Sequence, residues 1–279
     1  MGTELQRRGG DTGLPLWSAQ PLVTRPDLVL QIHRDYLAAG ADIITTNSFR
    51  TTRRTFRRAG MPDRSGELTT VAVRLAREAR SAFPGRNALV AGSIAPLEDC
   101  YRPDLVPPTD ELREEHRELA HRLVDAGVDF LLLETMNTLR EAAAAAEAAA
   151  QTGCEVVVSF ICNRVGNLLS GESLAEAVRT VDAFNPRAFS VNCVSPRFMG
   201  TAIARLQAAT SRPFAVYGNV GLPEDRQGWE FTYDILAEQY ARYALEWLKS
   251  GASIVGGCCG TTPEYIGFIH ELLTKESLA

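Results

Sequence analysis

The sequence predicts an α/β fold in which parallel strands alternate with helices. Short, nearly continuous apolar runs rich in β-branched residues recur along the chain, as expected for parallel strands covered on both faces. Longer segments with helical periodicity separate these runs. No shift in composition marks a linker between domains, so we expect a single domain over residues 1–279.

Seven apolar runs are the candidate strands. They cover residues 41–46, 88–93, 130–134, 156–160, 189–193, 214–218 and 253–257. A closed (β/α)8 TIM barrel needs eight strands. The strand that is missing is the first one, because no predicted strand precedes residues 2–5 in this chain. We therefore expect a (β/α)8 TIM barrel whose first strand is missing from this chain, and a doubly wound open sheet is the alternative.

Three helices between the strands have clear sequence support, over residues 110–125, 139–151 and 234–249. The first is charged on one side and apolar on the other, and the second is mostly alanine, the best helix former. Gly153 and Gly251 are placed to end the second and third helices. Strands and helices at this spacing form right-handed βαβ units in one parallel sheet.

Composition excludes several classes of protein. The chain is 45% hydrophobic and carries a net charge of −5, which excludes general disorder. It has no basic stripe, which argues against nucleic acid as the main partner. No apolar run approaches the roughly 18 residues of a membrane helix, and the N-terminus lacks the apolar segment of a secretory signal. Six cysteines without such a signal indicate a reducing cytoplasm rather than a disulfide scaffold.

Cys193 and the pair Cys258-Cys259 close two of the predicted strands. The carboxyl ends of barrel strands meet at one mouth, where the chemistry of such folds is found. Catalytic zinc sites use three protein ligands and keep one position open. Adjacent residues of a strand point to opposite faces, but the glycines beside the pair allow a sharp turn. The sequence thus predicts a Zn²⁺ site at Cys193, Cys258 and Cys259, and buried thiols without a metal are the alternative.

Other reactive residue types give weaker signals. Glu134 directly follows three leucines, where a carboxylate caps a helix, pairs with a buried arginine or binds a ligand cation. The histidines all lie in helical patterns, which argues against a His-dependent hydrolase, and they are His33, His116, His121 and His270. The scattered cysteines are interpreted as small buried hydrophobes, and they are Cys100, Cys154 and Cys162.

The run Gly256-Gly257-Cys258-Cys259-Gly260-Thr261-Thr262-Pro263, with Asn192-Cys193 upstream, resembles the signature of the homocysteine S-methyltransferases. Further matches extend over nearly the whole chain, at residues 2–5, 16–19, 33–49, 92–94 and 133–135. The resemblance implies a (β/α)8 barrel in which the three cysteines hold Zn²⁺ and the sulfur of homocysteine takes the fourth position.

The same resemblance implies roles in binding the substrate. Glu134 would bind the ammonium group of homocysteine, and the region of Thr46 would bind its carboxylate. We expect Asn192 to contact the substrate as well, and Trp17 could supply an aromatic wall for the methyl donor. No catalytic residue is predicted beyond the metal site.

The start of the chain departs from the family pattern. The family usually opens with a strand that ends in Asp-Gly, just before the residues that match Met1-Gly2-Thr3. Both residues are absent here, and with them an acid expected to help hold the amino group. We therefore expect the native start to lie upstream of Met1.

The predicted activity is methyl transfer from a sulfonium donor, S-methylmethionine or S-adenosylmethionine, to homocysteine, which forms methionine. Betaine is disfavoured as donor, because Arg50 and Thr135 stand where the betaine enzyme carries tyrosines. One alternative is the homocysteine-activating subunit of a split corrinoid-dependent system. Others are a non-catalytic binding protein for zinc or thiol amino acids, and an unrelated barrel enzyme with buried cysteines. A selenol acceptor is not distinguished from homocysteine.

Overall fold

Seven parallel strands form the central sheet in a computed structural model that describes residues 1–223, 229–232 and 234–277. Each strand pairs with the next one along the chain. The strands are β1 (Ile43–Thr45), β2 (Leu89–Ile94), β3 (Phe130–Met136), β4 (Val156–Phe160), β5 (Ala188–Asn192), β6 (Phe214–Gly218) and β9 (Ile254–Gly257). Two short antiparallel strands, β7 (Leu222–Pro223) and β8 (Trp229–Glu230), lie between β6 and β9 in the sequence.

Helices precede the first strand of the sheet, connect the successive strands and follow the last one. They are α1 (Gly2–Arg7), α2 (Gln20–Thr24), α3 (Pro26–Ala38), α4 (Arg53–Arg58), α5 (Ser65–Ser81), α6 (Thr109–Asp125), α7 (Leu139–Ala150), α8 (Leu174–Asp182), α9 (Pro196–Ala209), α10 (Ala237–Lys249) and α11 (Pro263–Ser277). Three short 3₁₀ turns add Trp17–Ala19, Pro62–Arg64 and Pro103–Leu105. The alternation of strands and helices confirms the predicted α/β fold.

The predicted elements agree with the structure except at some ends. All seven predicted strands are present, and α6 and α7 begin and end within one residue of their predicted bounds. The third predicted strand continues past Glu134 to Met136, because a bulge, not a strand end, follows Leu133. α10 begins at Ala237, three residues later than predicted. Asp234, in the segment before it, pairs instead with Arg197 at 3.1 Å.

The two faces of the strands have different surroundings. Residues such as Leu131, Val158 and Val191 face the helices and belong to one large buried apolar cluster. Alanines of α7 join this cluster, since their small side chains let the helix pack closely on β3 and β4. Alternate residues point to the opposite face, which is therefore the interior of the barrel. Many of these are polar, and they are Ser93, Glu134, Ser159, Ser190, Asn192 and Tyr217.

The barrel is open between β1 and β9, which do not pair within the described residues. This arrangement confirms the prediction of a barrel that lacks its first strand, while the extent of the single domain, 1–279, stays a prediction. α1 lies at this opening, where the Thr3 hydroxyl accepts a hydrogen bond from the Gly260 amide at 3.1 Å. Tyr36 of α3 donates to the Thr261 carbonyl at 3.0 Å. Both contacts hold the front of the chain against the segment that carries the cysteine pair.

Within the described residues, the helices fall short of the length and apolar character that crossing a membrane requires.

Tyr240 joins the ends of two strands from outside the barrel. Its buried hydroxyl lies 2.9 Å from the Gly218 carbonyl of β6 and 2.8 Å from the Gly256 carbonyl of β9. Tyr240→Phe leaves these carbonyls without that donor, so we expect the free energy of unfolding to fall by about 1–2 kcal/mol. Chemical denaturation measures this change. Tyr243→Phe, on the same helix but partly exposed, is the control, and an equal loss in both variants would contradict the interpretation.

Candidate metal centre

The structure brings Cys193, Cys258 and Cys259 together at the carboxyl ends of β5 and β9. Their sulfur atoms all lie within 4.8 Å of one another, and the Cys193 and Cys259 sulfurs are 3.8 Å apart. Thiolates held about 2.3 Å from one tetrahedral Zn²⁺ would be separated by about 3.8 Å. The spacing and the soft sulfur donors therefore suit a single metal ion. The assignment of these residues as ligands stays a prediction.

A tight turn aims both members of the cysteine pair at the same place. β9 ends at Gly257, and the Cys258 amide donates to the Gly218 carbonyl at 2.8 Å. The Thr261 hydroxyl then closes the turn by donating to the Cys258 carbonyl at 2.7 Å. Gly260 has a φ of +78°, a left-handed conformation that glycine adopts without strain. The turn removes the strand geometry that would have placed the two side chains on opposite faces.

Gly257 leaves room for this turn. A Cβ atom at Gly257 would lie 2.3 Å from the Thr261 Oγ1 and 2.8 Å from its Cβ. Gly257→Ala must displace Thr261, so we expect metal affinity to fall at least about tenfold, as it does when supporting residues of metal sites are changed. Competition with a chelating dye measures the affinity. Gly200→Ala, at an open position of α9, should bind metal normally, and an unchanged affinity of Gly257→Ala would contradict this account.

The three thiols share their protons. The pKa of Cys258 is held well below that of an ordinary thiol, because the Cys193 and Cys259 side chains hydrogen-bond to its sulfur. The same contacts with Cys258 and Cys259, together with burial, raise the pKa of Cys193. The cluster therefore carries one thiolate readily and retains its other protons until a cation displaces them.

Asn192 uses its whole side chain within the protein. Its Oδ1 accepts from the Thr135 amide at 2.9 Å and from the Ser159 hydroxyl at 2.7 Å. Its Nδ2 donates to the Thr135 hydroxyl at 2.9 Å and lies 3.7 Å from the Cys258 sulfur. Two acceptor and two donor positions are thus occupied. This arrangement orients Cys258 and the strand bulge, and the substrate contact expected of Asn192 stays a prediction.

Glu134 projects from the bulge of β3 into the barrel interior. The Ser93 hydroxyl donates to its Oε1 at 2.5 Å. Burial raises the pKa of Glu134 to about 7, and the nearby negative charge of Cys258 adds to the shift. Thr135, the next residue, has a φ of +64°. Such strain is characteristic of functional sites, and the bulge turns the carboxyl group toward the same space as the cysteines.

Thr46 and Trp17 lie in the segments around β1. The buried Thr46 hydroxyl contacts the Ser48 hydroxyl at 2.8 Å and accepts from the Ser93 amide at 3.1 Å. The Trp17 ring meets Phe49 edge to face, with 6.0 Å between the ring centres. Thr46 is therefore linked to Glu134 through Ser93, whereas Trp17 packs beside α1, where a Cβ at Gly2 would lie 2.6 Å from its ring. The substrate contacts of both residues stay predictions.

Sequence reasoning missed several residues of this centre. Tyr217, Ser159 and Ser190 are polar residues inside apolar strands, and their alternation with apolar neighbours was the available signal. Tyr101 had no such signal, because it lies in the loop after β2. Its hydroxyl is 3.2 Å from the Cys193 sulfur. Burial raises the pKa of Tyr101 far above the usual range, so the group carries its proton.

Comparison with known proteins agrees with this geometry. The chain is 35% identical to homocysteine S-methyltransferase 1 of Zea mays, covering 97% of this chain and 91% of the relative. It is 34% identical to the selenocysteine methyltransferase of Astragalus bisulcatus, covering 99% and 91%. The structure of the Escherichia coli homocysteine methyltransferase MmuM in its metallated form superposes with a TM-score of 0.85, at 31% identity, covering 98% of this chain and 93% of MmuM.

The open barrel has a polar interior and three convergent thiols at its mouth, which is where barrel enzymes carry out their chemistry. The sequence profile of the homocysteine S-methyltransferases matches residues 1–273, and the chain belongs to this family. The resemblance found in the sequence is thereby confirmed, as are the barrel fold and the prediction of an enzyme that transfers a methyl group to homocysteine. The cysteine cluster is a group that could hold a metal ion.

Proposed function

We propose that this protein uses Zn²⁺ to transfer a methyl group from a sulfonium donor, S-methylmethionine or S-adenosylmethionine, to the thiol of homocysteine, forming methionine. The observation that carries the proposal is the cluster of three cysteine sulfurs within 4.8 Å of one another. The similar MmuM has been solved in a metallated form, which supports a metal-dependent centre here. Zn²⁺ is the ion preferred here, because a three-cysteine set with an open position is typical of thiolate-rich zinc sites.

Cys193, Cys258 and Cys259 would hold the ion. When bound, Zn²⁺ keeps a coordinated thiol deprotonated at neutral pH, where a free thiol is mostly protonated and a poor nucleophile. The rest of the chain would hold homocysteine and the methyl donor in line for the transfer. Holding two reactants in line can remove about 7–11 kcal/mol from a bimolecular barrier.

Recognition of the acceptor would depend on its amino acid group. The Glu134 carboxylate lies in the barrel interior with Ser93 as a hydrogen-bond donor, which suits an ammonium group. The polar segment at Thr46 would face the carboxylate of the acceptor. Selenocysteine and homocysteine share this amino acid group, and the first relatives include selenocysteine methyltransferases. Homocysteine is the proposed acceptor because relatives from Arabidopsis thaliana and Zea mays are named for it.

We place the protein in the cytoplasm, where its cysteines, all free in the described structure, would stay reduced. Homocysteine and a small methyl donor are the partners proposed, without nucleic acid or membrane.

The test is methionine formation by the zinc-loaded chain from homocysteine and each sulfonium donor, with zinc content measured on the same sample. Turnover with a sulfonium donor alone supports the proposal. Turnover only when a methylated corrinoid protein is added would favour a subunit of a split corrinoid system. Tight zinc without turnover would favour a binding protein. Absence of zinc would contradict the proposal.

A further inference from the structure

A zinc-thiolate methyltransferase faces a problem of selectivity. With the acceptor bound, the proposed centre would gather four sulfurs, three from the chain and one from the substrate. A methyl donor reacts with any accessible thiolate. If Cys193 were methylated, its thiolate would become a neutral thioether and the donor would leave as a neutral sulfide, so the centre would lose a ligand permanently. The chain's own sulfurs must therefore be less reactive than the substrate's.

Hydrogen bonds are one means of lowering the reactivity of a thiolate, because a donated proton withdraws electron density from the sulfur. The Tyr101 hydroxyl lies 3.2 Å from the Cys193 sulfur, and it is the donor once Cys193 is a thiolate, because a thiolate can only accept. Cys258 has another in the Asn192 amide, at 3.7 Å. Hydrogen bonds to charged groups are the stronger kind, and the low dielectric of a buried site strengthens them further.

The loop that carries Tyr101 is fixed in several places. The Asn137 Nδ2 donates to the Cys100 carbonyl at 3.0 Å. The buried Glu141 carboxylate accepts from the Leu97 amide at 2.7 Å. The Tyr101 amide itself donates to the Asp99 carboxylate at 2.9 Å. The phenol is therefore held beside Cys193 by the structure of the loop and does not depend on a bound substrate for its position.

We propose that Tyr101 is a positioning residue that protects Cys193 from methylation by donating a hydrogen bond to its sulfur, so that the methyl group goes to the substrate. This inference rests on the proposed function, because it concerns the selectivity of that methyl transfer. Tyr101 acts through Cys193 and has no role in breaking the bond between the donor and its methyl group.

The test compares the full chain with Tyr101→Phe, which removes the hydroxyl and keeps the ring. Both proteins are loaded with zinc and treated with methyl iodide without acceptor, and methylated cysteines are quantified by peptide mass spectrometry. The rate at Cys193, divided by the rate at Cys258, should rise about tenfold in Tyr101→Phe, as expected for loss of one hydrogen bond to a charged group. Cys258 keeps its own donor in both proteins and is the internal reference.

Tyr265→Phe is the matched control. It also loses a buried hydroxyl, one that donates to the Ile235 carbonyl at 2.7 Å, and its ratio should equal that of the unchanged chain. An unchanged ratio in Tyr101→Phe, or no methylation of Cys193 in either protein, would overturn the inference. A parallel rise at all three cysteines would do the same, since it would report a loosened site. Zinc content of the same samples reports separately on the proposed function, because a chain that binds no zinc fails the proposed function whatever its methylation ratio.

Discussion

Cys258→Ser is expected to lower zinc affinity at least about 100-fold, beyond the 10- to 100-fold losses seen for residues that only support metal ligands. Methionine formation should fall by at least about 1,000-fold, an increase of about 4 kcal/mol in the barrier. Cys258 has the lowest pKa of the cluster, because both neighbouring thiols hydrogen-bond to it. A serine hydroxyl offers no comparable anion at neutral pH. Metal analysis after dialysis and a methyl-transfer assay measure the two effects.

Cys154→Ser is the matched control for this substitution. Cys154 is partly exposed and lies apart from the cluster, with its sulfur 3.9 Å from the Asp129 carbonyl. This variant should retain both zinc and activity. Equal activity of Cys258→Ser and the unchanged chain would show that the cluster is a set of buried thiols with no part in the reaction.

Glu134→Gln is expected to weaken binding of the acceptor by about 100-fold, or about 2.7 kcal/mol. The amide keeps the size of the side chain and its hydrogen bond with Ser93 but offers no charge to an ammonium group. Calorimetric titration of the zinc-loaded protein with homocysteine measures this loss. Glu155→Gln, at an exposed position, should bind normally. Unchanged affinity in Glu134→Gln would assign the carboxyl group a structural role.

The same residue predicts a pH dependence. Burial raises the pKa of Glu134 to about 7, and only the ionised form attracts an ammonium group. Affinity for the acceptor should therefore rise as the pH increases through 7 and fall about tenfold per unit well below it. Glu134→Gln has no proton to lose at this position. Its affinity for the acceptor should therefore not show the change with pH that ionisation of Glu134 causes. Titrations between pH 5.5 and 8.5 compare the two proteins.

The sequence allowed the main features of the fold to be predicted, because each strand is a distinct apolar run. The alanines of 139–151 likewise marked a helix that packs closely on the sheet. The cysteine cluster was accessible to the same reasoning, since residues at strand ends of a parallel barrel share one edge. Features that depend on the residue types of a short segment can therefore be predicted from the sequence alone.

Features that depend on precise backbone geometry were not accessible. The bulge after Leu133 leaves no mark in the apolar pattern of β3, so the end predicted from the sequence lies two residues before the observed end at Met136. Tyr101 reaches Cys193 across 92 positions of the sequence, and no local pattern reports such a contact. The hydrogen bonds of Asn192 to Thr135 and Ser159 are equally non-local, so no pattern in the sequence indicates them, and the substrate contact expected of Asn192 stays a prediction.

The hydrogen bond between Thr3 and Gly260 joins positions 257 residues apart beside the cysteine pair. During synthesis the ribosome releases Cys193 long before Cys258 and Cys259, and α1 waits longer still for its partner. Cys193 thus emerges 66 positions before Cys259, and the cluster is complete only when the pair has emerged. If the cluster holds a metal ion as proposed, all three cysteines can bind it only after Cys259 has left the ribosome, so the ion would be among the last parts of the molecule to take its place.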